Sequence, residues 1–217
     1  MQVRIDLNIS LDGYATTEDG TPDNPFDPFG EDWRKLTAAY VGTRTFRERV
    51  LGDTSGEGTT GVDDKYASDY FEEIGAEIMG AGMFGFDAHP NDPDWKGWWG
   101  DEPPFRVPVF VLTHRKHEPI EMLGGTTFHF IEATPKDALV QAMAVADGKD
   151  IRIGGGAKTA RAFLEAGLVD RLHVAIAPIL LGRGENLWQN LRGLEDAYQV
   201  SGETAESGTV HLIFTRS

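Results

Sequence analysis

Ile151-Arg152-Ile153-Gly154-Gly155-Gly156-Ala157-Lys158-Thr159 is the stretch of this 217-residue chain best suited to hold an anion. A strand runs into three glycines and then into a helix whose first N–H groups lack intrahelical partners. Such a terminus takes pyrophosphate through backbone donors and the helix dipole, and glycines let the backbone come close. The same pattern also serves a plain strand-to-helix turn, and the local residues leave both readings open. It is not a Rossmann fingerprint, because Thr159 stands where the third small residue belongs and the next strand ends without an acid. Gly80-Ala81-Gly82-Met83-Phe84-Gly85 spells G-x-G-x-x-G, but Asp87, Pro90 and Pro93 follow where a Rossmann site needs a long helix, so that reading is rejected.

Other groups carry weaker chemistry. Trp95, Trp98 and Trp99 offer flat rings that would wall a planar ligand, or else plug a core or a contact between two copies. His114 with His117, and His89 with Asp92 and Asp94, read as surface groups, because neither a strand end nor a Pro-rich loop supports ligand spacing; no metal is expected.

These residues need elements to hold them. Val3, Ile5, Leu7 and Ile9 alternate with Arg4, Asp6, Asn8 and Ser10, the pattern of a strand with one buried face, ending at the turn Asp12-Gly13. Residues 18–30 read as a proline-rich loop, 31–50 as a helix, 52–62 as a Gly/Thr-rich linker and 64–75 as a second helix. Strands are expected over 76–82, 107–113, 127–132 and 150–153, with a helix after the N-cap Thr134 and another over 158–166. A long strand over 171–182, bulged at Pro178, precedes a hairpin of 198–203 and 209–215. Alternating strands and helices with antiparallel elements at the end define a single α/β domain, residues 1–217, with a mixed sheet.

Net charge is −15 and Cys is absent. An acidic chain lacks the basic footprint that nucleic acid or an anionic membrane requires. No Cys means no disulfide framework, thiolate zinc site or Cys nucleophile. Arg4 and Asp6 interrupt any signal-peptide core, so a soluble cytoplasmic protein acting on a small molecule is expected. Residues 1–104 hold 22 of the 35 acids and 8 of the 20 bases, which leaves the second half almost neutral and better suited to an anionic cofactor.

Ser10-Leu11-Asp12-Gly13, Ile78-Met79-Gly80-Ala81-Gly82-Met83-Phe84, Val109–Arg115, Gly154–Ala157 with Phe163–Asp170, and Pro178–Gly184 follow one another in an order that resembles the dihydrofolate-reductase-like superfamily. Within it, the chain is most similar to the RibD C-terminal domain family, the reductase domain of riboflavin biosynthesis. The resemblance implies a dihydrofolate-reductase-like fold, a mixed and mostly parallel sheet with an antiparallel C-terminal hairpin. It implies an NADPH-dependent reductase that passes hydride to a small C=N or C=O substrate, and a homodimer. Gly154, Gly155, Gly156 and Ala157, followed by Lys158 and Thr159, would cradle the pyrophosphate, with Gly80 and Gly82 as a second phosphate contact. Thr113, His114 and Arg115 would face the adenosine 2′-phosphate. Asp12 would either lie nearest the nicotinamide or only make its turn, and Glu185, with Trp98 and Trp99, would line the substrate pocket. Ala81 replaces the Arg usual in that family, and no general acid is evident. A non-catalytic nucleotide-binding or dimerisation module on the same fold is therefore the alternative.

Overall fold

The structure, a computed structural model, describes residues 1–16, 30–89 and 91–217; the loop expected over 18–30 lies, except for Gly30, outside the described residues. In chain order the strands are β1 (Val3–Ser10), β2 (Tyr14–Thr16), β3 (Ile74–Gly80), β4 (Pro108–Leu112), β5 (Ile120–Glu121), β6 (Thr127–Ile131), β7 (Asp150–Gly155), β8 (Arg171–Ala177), β9 (Glu185–Asn186), β10 (Tyr198–Thr204) and β11 (Val210–Arg216). The helices are α1 (Gly30–Val41), α2 (Arg44–Arg49), α3 (Val62–Phe71), α4 (Ala81–Phe84), α5 (Pro135–Val145) and α6 (Ala157–Glu165). Nine strands join in the order β10-β11-β8-β1-β7-β3-β4-β6-β5, and β2 pairs with β9 apart from them. Strands β8, β1, β7, β3, β4 and β6 are parallel, while β11 and β10 add an antiparallel pair at one edge. This is the mixed, mostly parallel sheet of the expected fold class.

Beta-branched and aromatic residues line the α5–α6 side. Ile5, Ile78, Ile151, Ile153, Leu172 and Val174 are fully buried there with Phe163 and Ala142. Each of the larger side chains, Ala142 aside, contributes about 1.5–3 kcal/mol by leaving water. A smaller cluster of Met79, Phe84, Phe86, Val109, Val111 and Phe128 closes the β3–β4–β6 edge.

Several boundaries differ from the sequence expectation, each for a local reason. The helix expected over 31–50 is two helices: Gly42 ends the first, and the Thr43 hydroxyl accepts from the Phe46 N–H (3.1 Å) to start the second. The helix expected to reach 75 stops at Phe71, because Glu73 turns the chain at φ 54° and Ile74 and Gly75 enter β3. Strand β8 stops at Ala177, where Pro178 has no N–H to continue the ladder. The largest difference concerns β1. Its polar face is buried too: Arg4, Asp6, Glu77, Arg152, His173 and His211 lie beneath α3, at most 8% exposed. Charge pairing across strands makes that burial possible, and period-2 polarity alone does not reveal it. Among the described residues no helix is long and apolar enough to cross a membrane.

Candidate functional site

Because β1, β3, β4, β7 and β8 run parallel, their carboxyl ends open on one side, where open α/β sheets bind ligands. Ser10 stands opposite Ala177, Gly80 opposite Leu112, and Met79 opposite Gly155. Five separated segments of sequence thereby meet at one end of the sheet.

The three glycines after β7 have three different reasons to be there. A side chain at Gly154 would collide with the Glu77 carboxylate, which lies beneath it. Gly155 has φ 104°, in the left-handed region, and its peptide bond to Gly156 is cis. Gly156 has an ordinary φ of −68°, and nothing lies within 4 Å of where its Cβ would stand. The protein demands the first two glycines; the third leaves an open cradle at the N-cap of α6, which has no side-chain capping bond. Ala157 behind it is buried, and Lys158 is exposed. Gly80 is demanded by Thr159, whose Oγ1 lies 2.5 Å from the position a Cβ would take. Gly82 is exposed, and its Cβ position meets only Asp87, at 3.4 Å.

Asp12 holds the site together. Its Oδ1 accepts from the Ser10 hydroxyl (2.6 Å) and the Leu181 N–H (3.1 Å), and its Oδ2 from the Gly182 N–H (2.7 Å). Desolvation pushes its pKa up, but the Ser10, Leu181 and Gly182 bonds outweigh this and hold it below the usual carboxylate range. An ionised acceptor with both oxygens engaged is a strap between β1 and the loop after β8, not a proton donor.

Glu185 spans from β9 to α6, with Lys158 Nζ at 2.9 Å and an Arg161 nitrogen at 3.3 Å. Desolvation raises its pKa, and the hydrogen bonds from Lys158 and Arg161 bring the balance below the ordinary value. Arg161 also donates to the Asn186 carbonyl. After β4, the Thr113 hydroxyl accepts from the Arg115 N–H (3.0 Å), His114 Nδ1 lies 2.9 Å from Glu132 Oε1, and the Arg115 guanidinium sits 5.3 Å over the Phe86 ring. Phe86 belongs to the small core, so Arg115 is supported by packing while its side chain remains exposed.

The model of the RibD C-terminal domain matches residues 1–200. The chain belongs to the RibD C-terminal domain family. Over 67 residues it is 34% identical to the uncharacterised protein YyaP of Bacillus subtilis strain 168, covering 31% of this chain and 36% of YyaP, about a third of that relative's length. A putative riboflavin biosynthesis protein from Shewanella sp. PV-4 superposes with TM-score 0.59 at 19% identity, over 100% of this chain and 99% of that one. A diaminohydroxyphosphoribosylaminopyrimidine deaminase/5-amino-6-(5-phosphoribosylamino)uracil reductase from Thermotoga maritima superposes with TM-score 0.58 at 13% identity. The match covers 100% of this chain and 56% of the Thermotoga protein, so this chain spans about half its length. At these identities the two structures share the fold.

In this RibD C-terminal domain the residues expected to line one substrate pocket are not together. Trp99 stacks near Phe128 (5.9 Å between ring centres) and edge-on to Phe105 (4.8 Å). Trp98 meets Trp95 (4.7 Å), whose indole N–H donates to the Phe84 carbonyl, and both rings dock on Gly85, at φ 98°. The tryptophans therefore sit on the β3–β4–β6 edge, the side of Phe86 and Arg115, whereas Glu185 sits beside α6 and β2. Trp95 and Trp98 meet at the Gly85 turn, and Trp99 packs on Phe105 and Phe128. Sequence reasoning missed Ser10, Arg161 and Glu77. The Ser10-x-Asp12 spacing was a usable signal for the first; Arg161 and Glu77 find their partners 24 and 75 residues away, beyond any local pattern.

Proposed function

We propose that this chain is an NADPH-dependent reductase that reduces a small substrate at a polarised C=N or C=O carbon, working as a homodimer. The open cradle at Gly156 carries the reading. No protein atom fills the space at its Cβ position, and a pyrophosphate drawn to the N-terminus of α6 would use that space. Gly154 and Gly155 shape that cradle, the amides of Ala157, Lys158 and Thr159 supply donors, and Gly80 and Gly82 border it. A bound nicotinamide supplies the hydride. Thr113, His114 and Arg115 suit a dianionic 2′-phosphate, with Arg115 held in place by Phe86. Asp12 positions the loop after β8, and the proton comes from water, since Asp12 stays ionised. Glu185 orients Lys158 and Arg161 at the mouth. Trp98, held against Trp95, and Trp99, held against Phe105 and Phe128, offer flat rings to a planar ligand.

The reaction named for the Thermotoga protein, reduction of a phosphoribosylaminouracil, is the type reaction. Here Lys35, Arg47 and Lys65 are paired with Glu31, Asp53 and Glu203, so they do not favour a phosphoribosyl group. A planar unphosphorylated substrate fits better. The test is NADPH oxidation across imines, pterins and aminouracils with and without the phosphate, together with titration of NADPH and NADH. NADPH should bind about tenfold or more tighter, since one charged contact contributes roughly 1.5–3 kcal/mol. Arg115→Ala should erase most of that preference, and equal affinities in the parent protein would remove the 2′-phosphate assignment.

A further inference from the structure

Away from the carboxyl ends, four buried side chains on β1, β8, β11 and α3 form a line. Asp6 Oδ1 lies 3.1 Å from His173 Nδ1, His173 Nε2 lies 3.0 Å from His211 Nδ1, and His211 Nε2 lies 3.0 Å from Asp63 Oδ1. All four are at most 8% exposed, and Tyr66 stacks on both imidazoles, 4.5 and 4.2 Å between ring centres. Three contacts need three protons. Two neutral imidazoles carry one N–H each, and two carboxylates carry none. With both rings neutral and each donating to its own carboxylate, His173 Nε2 and His211 Nδ1 would face one another as two lone pairs at 3.0 Å.

We infer that Asp6, His173, His211 and Asp63 form a binding site for one proton, taken up when α3 and the β10–β11 hairpin close on the sheet and shared between the two imidazoles. The surroundings set where it rests. Arg4 (3.7 Å) and Arg171 (3.5 Å) flank Asp6 and keep it ionised, and Asp69 on α3 in turn pairs with both arginines. Next to His211, on β10, Glu203 accepts from the Tyr66 hydroxyl and pairs with Lys65, adding negative potential. Burial, aided by His173, holds the His211 pKa below the ordinary imidazole value against the pull of Asp63. The case for the proton is the hydrogen-bond count, since without it one of the three contacts has no hydrogen.

The sign follows from linkage. Two unfolded histidines of pKa about 6.5 hold one proton between them near pH 6.5, as many as the folded line holds. The site therefore contributes most to stability near pH 6.5. Above that pH the unfolded pair has lost its protons while the folded pair retains one, so the unfolding constant rises by up to about tenfold per pH unit until the folded proton leaves. Asp63→Asn is the diagnostic variant, because its amide N–H donates to His211 and completes all three contacts with two neutral rings. Urea unfolding of the parent should lose stability between about pH 7 and 9, and Asp63→Asn should lack that loss; parallel profiles overturn the site. Imidazole 15N NMR of the intact parent at about pH 8 is independent of how the variant folds. Three ring protons on the pair, one imidazolium's worth, are expected; two neutral rings with two protons overturn the inference.

Discussion

The carboxyl end of the sheet and the polar layer beneath α3 use similar residues in opposite ways. Under α3, Arg152 donates to Glu77, bonds the Tyr70 carbonyl and lies 3.7 Å over the Tyr70 ring, all within a layer closed to water. At the carboxyl end, Lys158 and Arg115 are exposed, and Gly156 borders open space. Charge buried with its partner is an architectural element of the fold; exposed charge beside open space is where the proposed cofactor would bind. Removing a residue from the first region should therefore cost stability, and removing one from the second should cost binding.

The contrast breaks most visibly at the buried pair. Glu77→Ala leaves the Arg152 guanidinium without its carboxylate in the interior and should cost about 3–5 kcal/mol in urea unfolding, whereas Glu77→Leu with Arg152→Met should cost much less. A smaller effect comes from acid. Burial pushes the Asp6 pKa up, but the His173 hydrogen bond and the nearby arginines bring it down to about 2. A depressed pKa gives stability that is present above the unfolded value and lost as pH falls through the folded one. The parent should lose about 2 kcal/mol between roughly pH 4 and 2, and Asp6→Asn should flatten that limb. Smaller again, Asp12→Ala strips the acceptor from the Leu181 and Gly182 amides, which should cost about 1–3 kcal/mol locally and speed hydrogen exchange at those two amides. Smallest is Lys158→Ala, whose exposed ion pair with Glu185 should contribute no more than about 1 kcal/mol to the melting equilibrium.

Much of the architecture was legible because it is local. Thr134 capping α5, with its Asp137 N–H bond at 3.2 Å, and the apolar alternation of β1 are written in neighbouring residues. The order of the motifs also pointed to the family. What stayed hidden depends on distant partners. Asp6 looked solvent-facing until His173, 167 residues away, and Arg171 came beside it. Short strands β2, β5 and β9 exist only through pairing and carry no periodicity of their own. At the site, the glycine run was visible, but which of its glycines the protein itself constrains was not. That distinction needs Glu77 under Gly154, φ at Gly155 and the empty volume at Gly156.

The central claim, that this volume receives the cofactor's pyrophosphate, is tested most directly by calorimetric titration of NADPH into the parent and Gly156→Ala. The φ of Gly156 suits alanine and the new methyl meets no protein atom, so a folded variant isolates the effect on binding, with its melting temperature measured alongside. Its affinity for NADPH should fall by about tenfold or more, because the methyl stands where a phosphate oxygen must approach. A folded Gly156→Ala protein that binds NADPH as tightly as the parent would contradict the account.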